Sequence, residues 1–261
     1  MNTPAATGFD IGSRTGKAVV IDSAGALLHT ATVETVGNAI RTFDDLRALL
    51  PPDLPDDLPS AATGYGRAAI EGRVRRTATE ISCHAIGALR RLPGAATVID
   101  IGGQDAKVII LEEGRIRDFA MNDKCAAGAG RFLEVMVPRL GLTLESFSRL
   151  DVAHIEPLPL SATCTVFAES EIVSLMASGA DPVVLASSVA AMAARMAALL
   201  AAPLHARPPF FMTGGVSRIV PVRHHLSLIL GHPVETSDDA SLSGAHGAAI
   251  MALRDGALPF R

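Results

Sequence analysis

Two short motifs of the same form stand 90 residues apart in the chain, Asp10-Ile11-Gly12-Ser13 and Asp100-Ile101-Gly102-Gly103. Each aspartate closes an apolar, β-type run, and each motif is followed by a lysine, Lys17 and Lys107. A carboxylate at a strand end is a hard oxygen ligand, suited to Mg²⁺ directly or through water. A Gly-rich turn after it can aim backbone N–H groups at a phosphate, because no side chain blocks the approach. One such turn is common in any β-hairpin. Two on matching strand–turn–strand units point to a nucleotide. On this reading Gly12 and Ser13, with Arg14 and Lys17 nearby, take one end of a phosphate chain, and Gly102 and Gly103 take the other from the opposite side of a cleft. Gln104 is placed to orient a water for attack on a γ-phosphate. A third glycine pair, Gly214-Gly215, precedes Val216 and follows the apolar Phe210-Phe211-Met212, and Gly244 opens the last predicted helix.

A second chemistry is carried by cysteine. Cys125 lies in Asn122-Asp123-Lys124-Cys125-Ala126-Ala127-Gly128-Ala129-Gly130, and Cys164 in Ser161-Ala162-Thr163-Cys164-Thr165-Val166-Phe167. Each stands just before a predicted helix, where the dipole and free N–H groups stabilise a thiolate and the added electron of a reduced iron–sulfur cluster. For an isolated cysteine, buried packing is the commoner explanation. The spacing is not that of a zinc site, and two thiolates are half of what a cubane requires.

The elements that must position these residues follow from the same sequence. Gly8 to Ile21 reads as strand, Gly turn, strand, with a hairpin turn at Ala24-Gly25 before Leu27 to Thr35. Phe43 to Leu50 reads as a helix, Pro51 to Pro59 as a loop, Ala61 to Gly64 as a short strand and Thr79 to Leu92 as a helix. The opening pattern then recurs over Thr97 to Leu111, with another turn at Glu113-Gly114, which makes an internal duplication the simplest account. Helices are expected over Ala126 to Leu140 (broken near its end by Pro138), over Phe167 to Ser178, from Pro182 through an Ala-rich run, and over Ala245 to Leu253. Strands are expected at Phe210 to Thr213 and Val234 to Thr236. Arg73, Arg75 and Arg76 read as a solvated helix face, Cys83 as core packing, and His84 and His224-His225 as structural or surface residues. Three segments result: a first lobe over 1–95, a second over 96–244, and a C-terminal helix, 245–261, returning to the first.

Composition narrows the function classes. Of 261 residues, 49% are hydrophobic and 19% charged, which predicts a packed globular chain. The net charge is −4, with no dense basic run, no Trp and one Tyr, so nucleic acid is not an expected partner. No signal-peptide pattern opens the chain. The apolar stretch Val183 to Leu204 is interrupted by Arg195 and reads as a buried helix rather than a membrane span. A cytoplasmic protein without membrane association is expected, where three cysteines do not form a disulfide framework.

Taken together, the phosphate loops Asp10 to Lys17 and Asp100 to Lys107 and the adenosine loop Met212 to Ser217 resemble those of the actin, sugar-kinase and heat-shock-chaperone ATPase superfamily. That resemblance implies an α/β, ribonuclease H-like, two-lobed actin-like fold with a duplicated sheet-plus-helices core binding ATP or ADP and Mg²⁺. From about Gly8 to Leu253, and most specifically in DIGGQDAK, NDKCAAGAGRFLE and CTVFAESE, the chain resembles the (R)-2-hydroxyacyl-CoA dehydratase activators and the wider BadF/BcrA-type ATPases. This implies a homodimer holding one [4Fe–4S] cluster through Cys125 and Cys164 of each subunit. It further implies a reduced ferredoxin or flavodoxin as donor, and a 2-hydroxyacyl-CoA dehydratase, benzoyl-CoA reductase or other double-cubane reductase as acceptor. Arg14, where relatives carry a small or hydroxyl residue, and Ser241-Leu242-Ser243 before Gly244 depart from the family pattern. Two other readings of the fold are a small-molecule kinase without a cluster and a filament-forming scaffold.

Overall fold

In the computed structural model, residues 3–122, 130–160 and 165–254 are described. Cys125 and Cys164 lie outside the described residues. Three strands open the chain, β1 (Pro4–Ile11), β2 (Thr15–Asp22) and β3 (Leu27–Glu34). The β2–β3 turn closes on Asp22, whose Oδ1 accepts from the N–H groups of Ala24 (2.9 Å) and Ala26 (2.8 Å). Helix α1 (Ala39–Ala48) starts four residues before its expected first residue. The Asn38 side chain accepts from the Arg41 N–H and caps the helix there.

Next come β4 (Ser60–Thr63), the two-residue β5 (Arg76–Thr77) and α2 (Glu80–Arg91), which Thr79 caps through the Ser82 N–H. Strand β5 corrects the reading of the arginine cluster as a helix face. Arg76 lies in that strand, while Arg73 and Arg75 bind Asp44 and the Asp57 carbonyl.

The second run comprises β6 (Thr97–Ile101), β7 (Ala106–Glu112), β8 (Arg115–Asn122), α3 (Gly130–Arg139), α4 (Leu144–Ser148), α5 (Thr165–Ala177), α6 (Pro182–Ala201), β9 (Phe210–Thr213), α7 (Val220–Leu230), β10 (Val234–Glu235) and α8 (Ser243–Leu253). Helix α6 is long and apolar enough to cross a membrane by composition, but 61% of its apolar window is buried inside the protein. Asp181 caps α6 and Pro182 occupies its first turn. Helix α4 was not expected; it begins in a capping box formed by Thr143 and Ser146.

Two units result, one of residues 1–95, 111–117 and 239–261, the other of residues 96–110 and 118–238. The strand order of the first sheet is β3-β2-β1-β4-β5 and of the second β8-β7-β6-β9-β10. The central strand of each pairs antiparallel with the next strand in sequence, β1 with β2 and β6 with β7. Its other neighbour is parallel, β4 or β9, and that strand has a further parallel partner, β5 or β10. The duplication inferred from two short motifs therefore extends to sheet topology.

In the first unit the period-2 alternation of β2 divides the core. Val19 and Ile21 face α2 and α8 with Ala61, Ile86, Ala245 and Ala249, while Ala18 and Val20 join Phe9, Ile11, Phe43 and Leu46 on the α1 side. The Phe9 and Phe43 rings meet at a centroid separation of 4.8 Å. The core of the second unit gathers Ile99, Ile101 and Val108 with Phe132, Met136, Leu185, Val189, Met212 and Leu226.

Candidate functional site: two aspartate loops of common design

Each central strand carries an aspartate as its penultimate residue, with the same two neighbours. Asp10 is in register with Lys17 on the antiparallel side and Thr63 on the parallel side. Asp100 is in register with Lys107 and Thr213. A glycine follows each threonine with positive φ, +94° at Gly64 and +82° at Gly214. A Cβ on Gly64 would sit 2.6 Å from Asp10 Oδ1, and one on Gly214 2.7 Å from Asp100 Oδ1. Both carboxylates thus lie against a bare Cα, at the end of a buried strand pair. Thr63-Gly64 had been read only as the end of a short strand. Its signal was the repeated Thr-Gly dipeptide after apolar residues, Ala61-Ala62-Thr63-Gly64 beside Phe211-Met212-Thr213-Gly214.

The electrostatics of the two sites differ. Asp100 is 1% exposed and compensated: Lys107 Nζ stands 3.3 Å from its Oδ2 and 2.6 Å from Asp105 Oδ2, and the Thr213 hydroxyl donates to its Oδ1 at 2.9 Å. Asp10 is 6% exposed and forms no ion pair among the described residues. Its surroundings are His84 and Gly244. A Cβ at Gly244 would lie 2.7 Å from Asp10 Oδ2 and 2.9 Å from His84 Nε2. The imidazole of His84 is buried and brought to the same point as the carboxylate. A carboxylate beside a Gly turn with no ion-pair partner among the described residues suits a hydrated divalent cation, so the donor set around Asp10 fits Mg²⁺. Asp100 already has its counter-charge in Lys107.

The turns themselves are held by local hydrogen bonds. In the first unit the Thr35 N–H donates to the Arg14 carbonyl (3.0 Å) and the Thr35 hydroxyl to the Gly12 carbonyl (2.8 Å). These bonds fix Gly12, Ser13 and Arg14 while Arg14 stays exposed and Lys17 half-buried. In the second unit the Gly102 N–H donates to the Asp105 carbonyl at 2.9 Å; Gly102 and Gly103 are half-buried and Gln104 exposed. The N–H groups of Gly130 and Arg131, the first two residues of α3, donate to the carbonyls of Gly102 and Gly103, each at 2.8 Å. Gly214, Gly215 and Val216 lie in and before a single 3₁₀ turn, Gly215–Arg218, which the Ser217 hydroxyl closes on the Gly214 carbonyl at 2.7 Å.

The remaining titratable candidates have structural partners. Burial pushes the Cys83 thiol up to about 12, so it is a neutral packing group in the first core. His225 Nε2 lies 2.9 Å from the Ser187 hydroxyl, joining α7 to α6, and burial lowers its pKa. Among the described residues no three His, Cys, Asp or Glu side chains form a metal-binding cluster.

Comparison with known proteins gives the family and the fold. The (R)-2-hydroxyglutaryl-CoA dehydratase activating ATPase of Acidaminococcus fermentans is 37% identical over 254 residues, 96% of this chain and 97% of that protein. The crystal structure of the Acidaminococcus fermentans (R)-2-hydroxyglutaryl-CoA dehydratase component A superposes with a TM-score of 0.89 at 36% identity, covering 98% of this chain and 100% of that one. The activator of the 2-hydroxyisocaproyl-CoA dehydratase from Clostridium difficile, solved with bound ADPNP, superposes with a TM-score of 0.86 at 32% identity, covering 96% and 95%. The fold is accordingly the two-lobed actin-like one. Residues 7–252 match the family model, and the chain belongs to the BadF/BadG/BcrA/BcrD ATPase family.

Proposed function

We propose that this ATPase couples hydrolysis to the delivery of one low-potential electron to a 2-hydroxyacyl-CoA dehydratase, and that it acts as a homodimer. The observation that carries the reading is the pair of bonds from Gly130 and Arg131 to Gly102 and Gly103. The helix that follows the Cys125 segment begins on the second phosphate loop, so a change at the phosphates is transmitted to the start of that helix.

In this proposal Gly12, Ser13, Gly102 and Gly103 contact phosphates through backbone N–H groups. Arg14 and Lys17 add positive charge at the first loop, and Gly214, Gly215 and Val216 bound the adenosine. Asp10 orients the hydrated Mg²⁺, Asp100 is a fixed carboxylate clamped by Lys107, and Gln104 orients the attacking water. Gly244 keeps the space beside Asp10 open. Cys125 and Cys164 supply two thiolates per chain, and two chains supply the four that a [4Fe–4S] cluster requires. Such a cluster, when bound, supplies a one-electron donor whose potential depends on charge, sulfur hydrogen bonds and exposure. A reduced ferredoxin or flavodoxin is the proposed source of the electron. Two relatives are named for different acyl-CoA dehydratases, and nothing in the described site reads an acyl chain, so the partner class is proposed rather than one substrate.

The test is anaerobic reconstitution followed by iron and sulfide analysis. Wild-type dimer is expected to hold four irons, while Cys125→Ser and Cys164→Ser lose them and keep nucleotide affinity. A wild-type protein that stays iron-free would sink the proposal.

A further inference from the structure

Thr63 and Thr213 occupy the same place in the two sheets, each in register with the site aspartate on the neighbouring parallel strand. Each precedes a glycine of positive φ whose bare Cα faces Oδ1 of that aspartate. Both threonines are fully buried. Their hydroxyls are nevertheless used differently. Thr213 donates to Asp100 Oδ1 at 2.9 Å, whereas no nitrogen or oxygen among the described residues forms a hydrogen bond with Thr63 Oγ1. The Cys83 thiol makes a side-chain contact with Thr63 that favours the thiolate, but sulfur is a weak donor and a weak acceptor and leaves the hydroxyl without a strong partner. Leaving a buried hydroxyl without a partner is costly, and folded proteins rarely do so without a reason.

We propose that Thr63 is a positioning residue for Asp10, its hydroxyl held in reserve and engaged when Mg·ATP binds. The engaged arrangement already exists in the second sheet, where the threonine hydroxyl holds one carboxylate oxygen and Lys107 Nζ faces the other at 3.3 Å. In the first sheet the same bond, from Thr63 Oγ1 to Asp10 Oδ1, forms with the nucleotide. It fixes the direction in which Asp10 Oδ2, beside Gly244 and His84, meets the hydrated cation. The two loops of common design thereby divide their work: Asp100 is permanently clamped, and Asp10 is set by its cargo. The inference rests on the reading of Asp10 as part of the nucleotide site.

Replacing each threonine by its isostere separates this role from a structural one. Thr213→Val removes an existing bond and is expected to lower the melting temperature of the nucleotide-free protein. Thr63→Val removes an unpartnered hydroxyl and is expected to leave that temperature unchanged or raise it. The same Thr63→Val variant is expected to lose about half or more of the melting-temperature rise given by Mg·ADPNP and about 10-fold in kcat, the scale of one hydrogen bond to a charged group. Thr63→Ser restores both. A Thr63→Val protein that is destabilised or unfolded without nucleotide overturns the inference, as does one with full nucleotide response and kcat, or a failure of Thr63→Ser to restore them. Asp10→Ala measured alongside tells the two failures apart. If Asp10→Ala keeps nucleotide response and activity, the reading of the site itself fails. If it is inactive while Thr63→Val is normal, only the role of Thr63 falls.

Discussion

Lys107 and Asp100 form an ion pair at 3.3 Å in which both side chains are 2% exposed, and the lysine is held on its other side by Asp105 at 2.6 Å. Breaking a buried pair by removing one partner leaves a charge with nothing to offset it, a loss of about 3–5 kcal/mol. Lys107→Met is therefore expected to lower the urea midpoint sharply. Lys17→Met, at the same register position of the first sheet but half-buried, is expected to change stability by less than about 1 kcal/mol. Equal losses in the two variants would contradict the asymmetry between the loops.

The two aspartates give the matching experiment on activity. Asp10→Ala and Asp100→Ala are each expected to lower ATP hydrolysis by about 10²-fold or more, with iron content unchanged. They part on stability. Asp100→Ala takes one carboxylate from the buried Lys107 ammonium and the acceptor from the Thr213 hydroxyl, whereas Asp10→Ala removes a buried carboxylate that has no ion-pair partner among the described residues. Thermal melts of the two apoproteins check this: Asp100→Ala should melt well below wild type and Asp10→Ala close to it.

Much of this site could be read from the sequence. Asp10, Gly12, Asp100, Gly102 and the Gly214-Gly215 pair announced themselves because their chemistry is local, a carboxylate and a bare backbone within a few residues. What escaped depends on long-range pairing. Thr63 matters because β4 runs beside β1 in one register, which only the match of its Thr-Gly dipeptide to Thr213-Gly214 signals, and His84 because α2 and α8 bring it to Gly244, which nothing in its flanking residues signals. Strand β5 is two residues long and carries no periodicity to detect. The start of α1 is legible in Asn38, a side chain able to cap, rather than in the apolar Phe43.

Gly64 and Gly37 offer a controlled pair. Both have positive φ, +94° and +88°, but a Cβ on Gly64 would meet Asp10 and Ile11 while Gly37 has open space around it. Gly37→Ala is expected to show backbone strain alone, about 1–2 kcal/mol. Gly64→Ala adds the collision with Asp10 Oδ1 and is expected to cost more and to depress ATPase activity, which Gly37→Ala leaves intact. Denaturant titration and steady-state hydrolysis of both variants provide the check.

His246 predicts the acid limb of stability. Its Nε2 donates to the Gly25 carbonyl at 2.9 Å and its Nδ1 accepts from Arg91 at 3.2 Å, since a carbonyl cannot donate and a guanidinium cannot accept. The ring is therefore neutral. Burial, with the Arg91 and Arg90 charges assisting, lowers its pKa from 6.5 to about 4. A base whose pKa is depressed by folding gives stability that is complete above its ordinary value of 6.5 and drains away as pH falls toward 4. Its contribution to that loss is about 3 kcal/mol. Burial of His225 acts in the same direction. Unfolding free energy measured between pH 7 and pH 4 should fall for wild type and fall less steeply for His246→Gln.

The bonds from α3 to the second phosphate loop carry one more consequence. Asn122 ends β8 and Gly130 begins α3, so the stretch bearing Cys125 is tethered at both ends within a single unit. One anchor is a sheet strand and the other is the Gly102 carbonyl. If Gly102 and Gly103 hold phosphate as proposed, the first turn of α3 is fastened to the backbone that the phosphate touches.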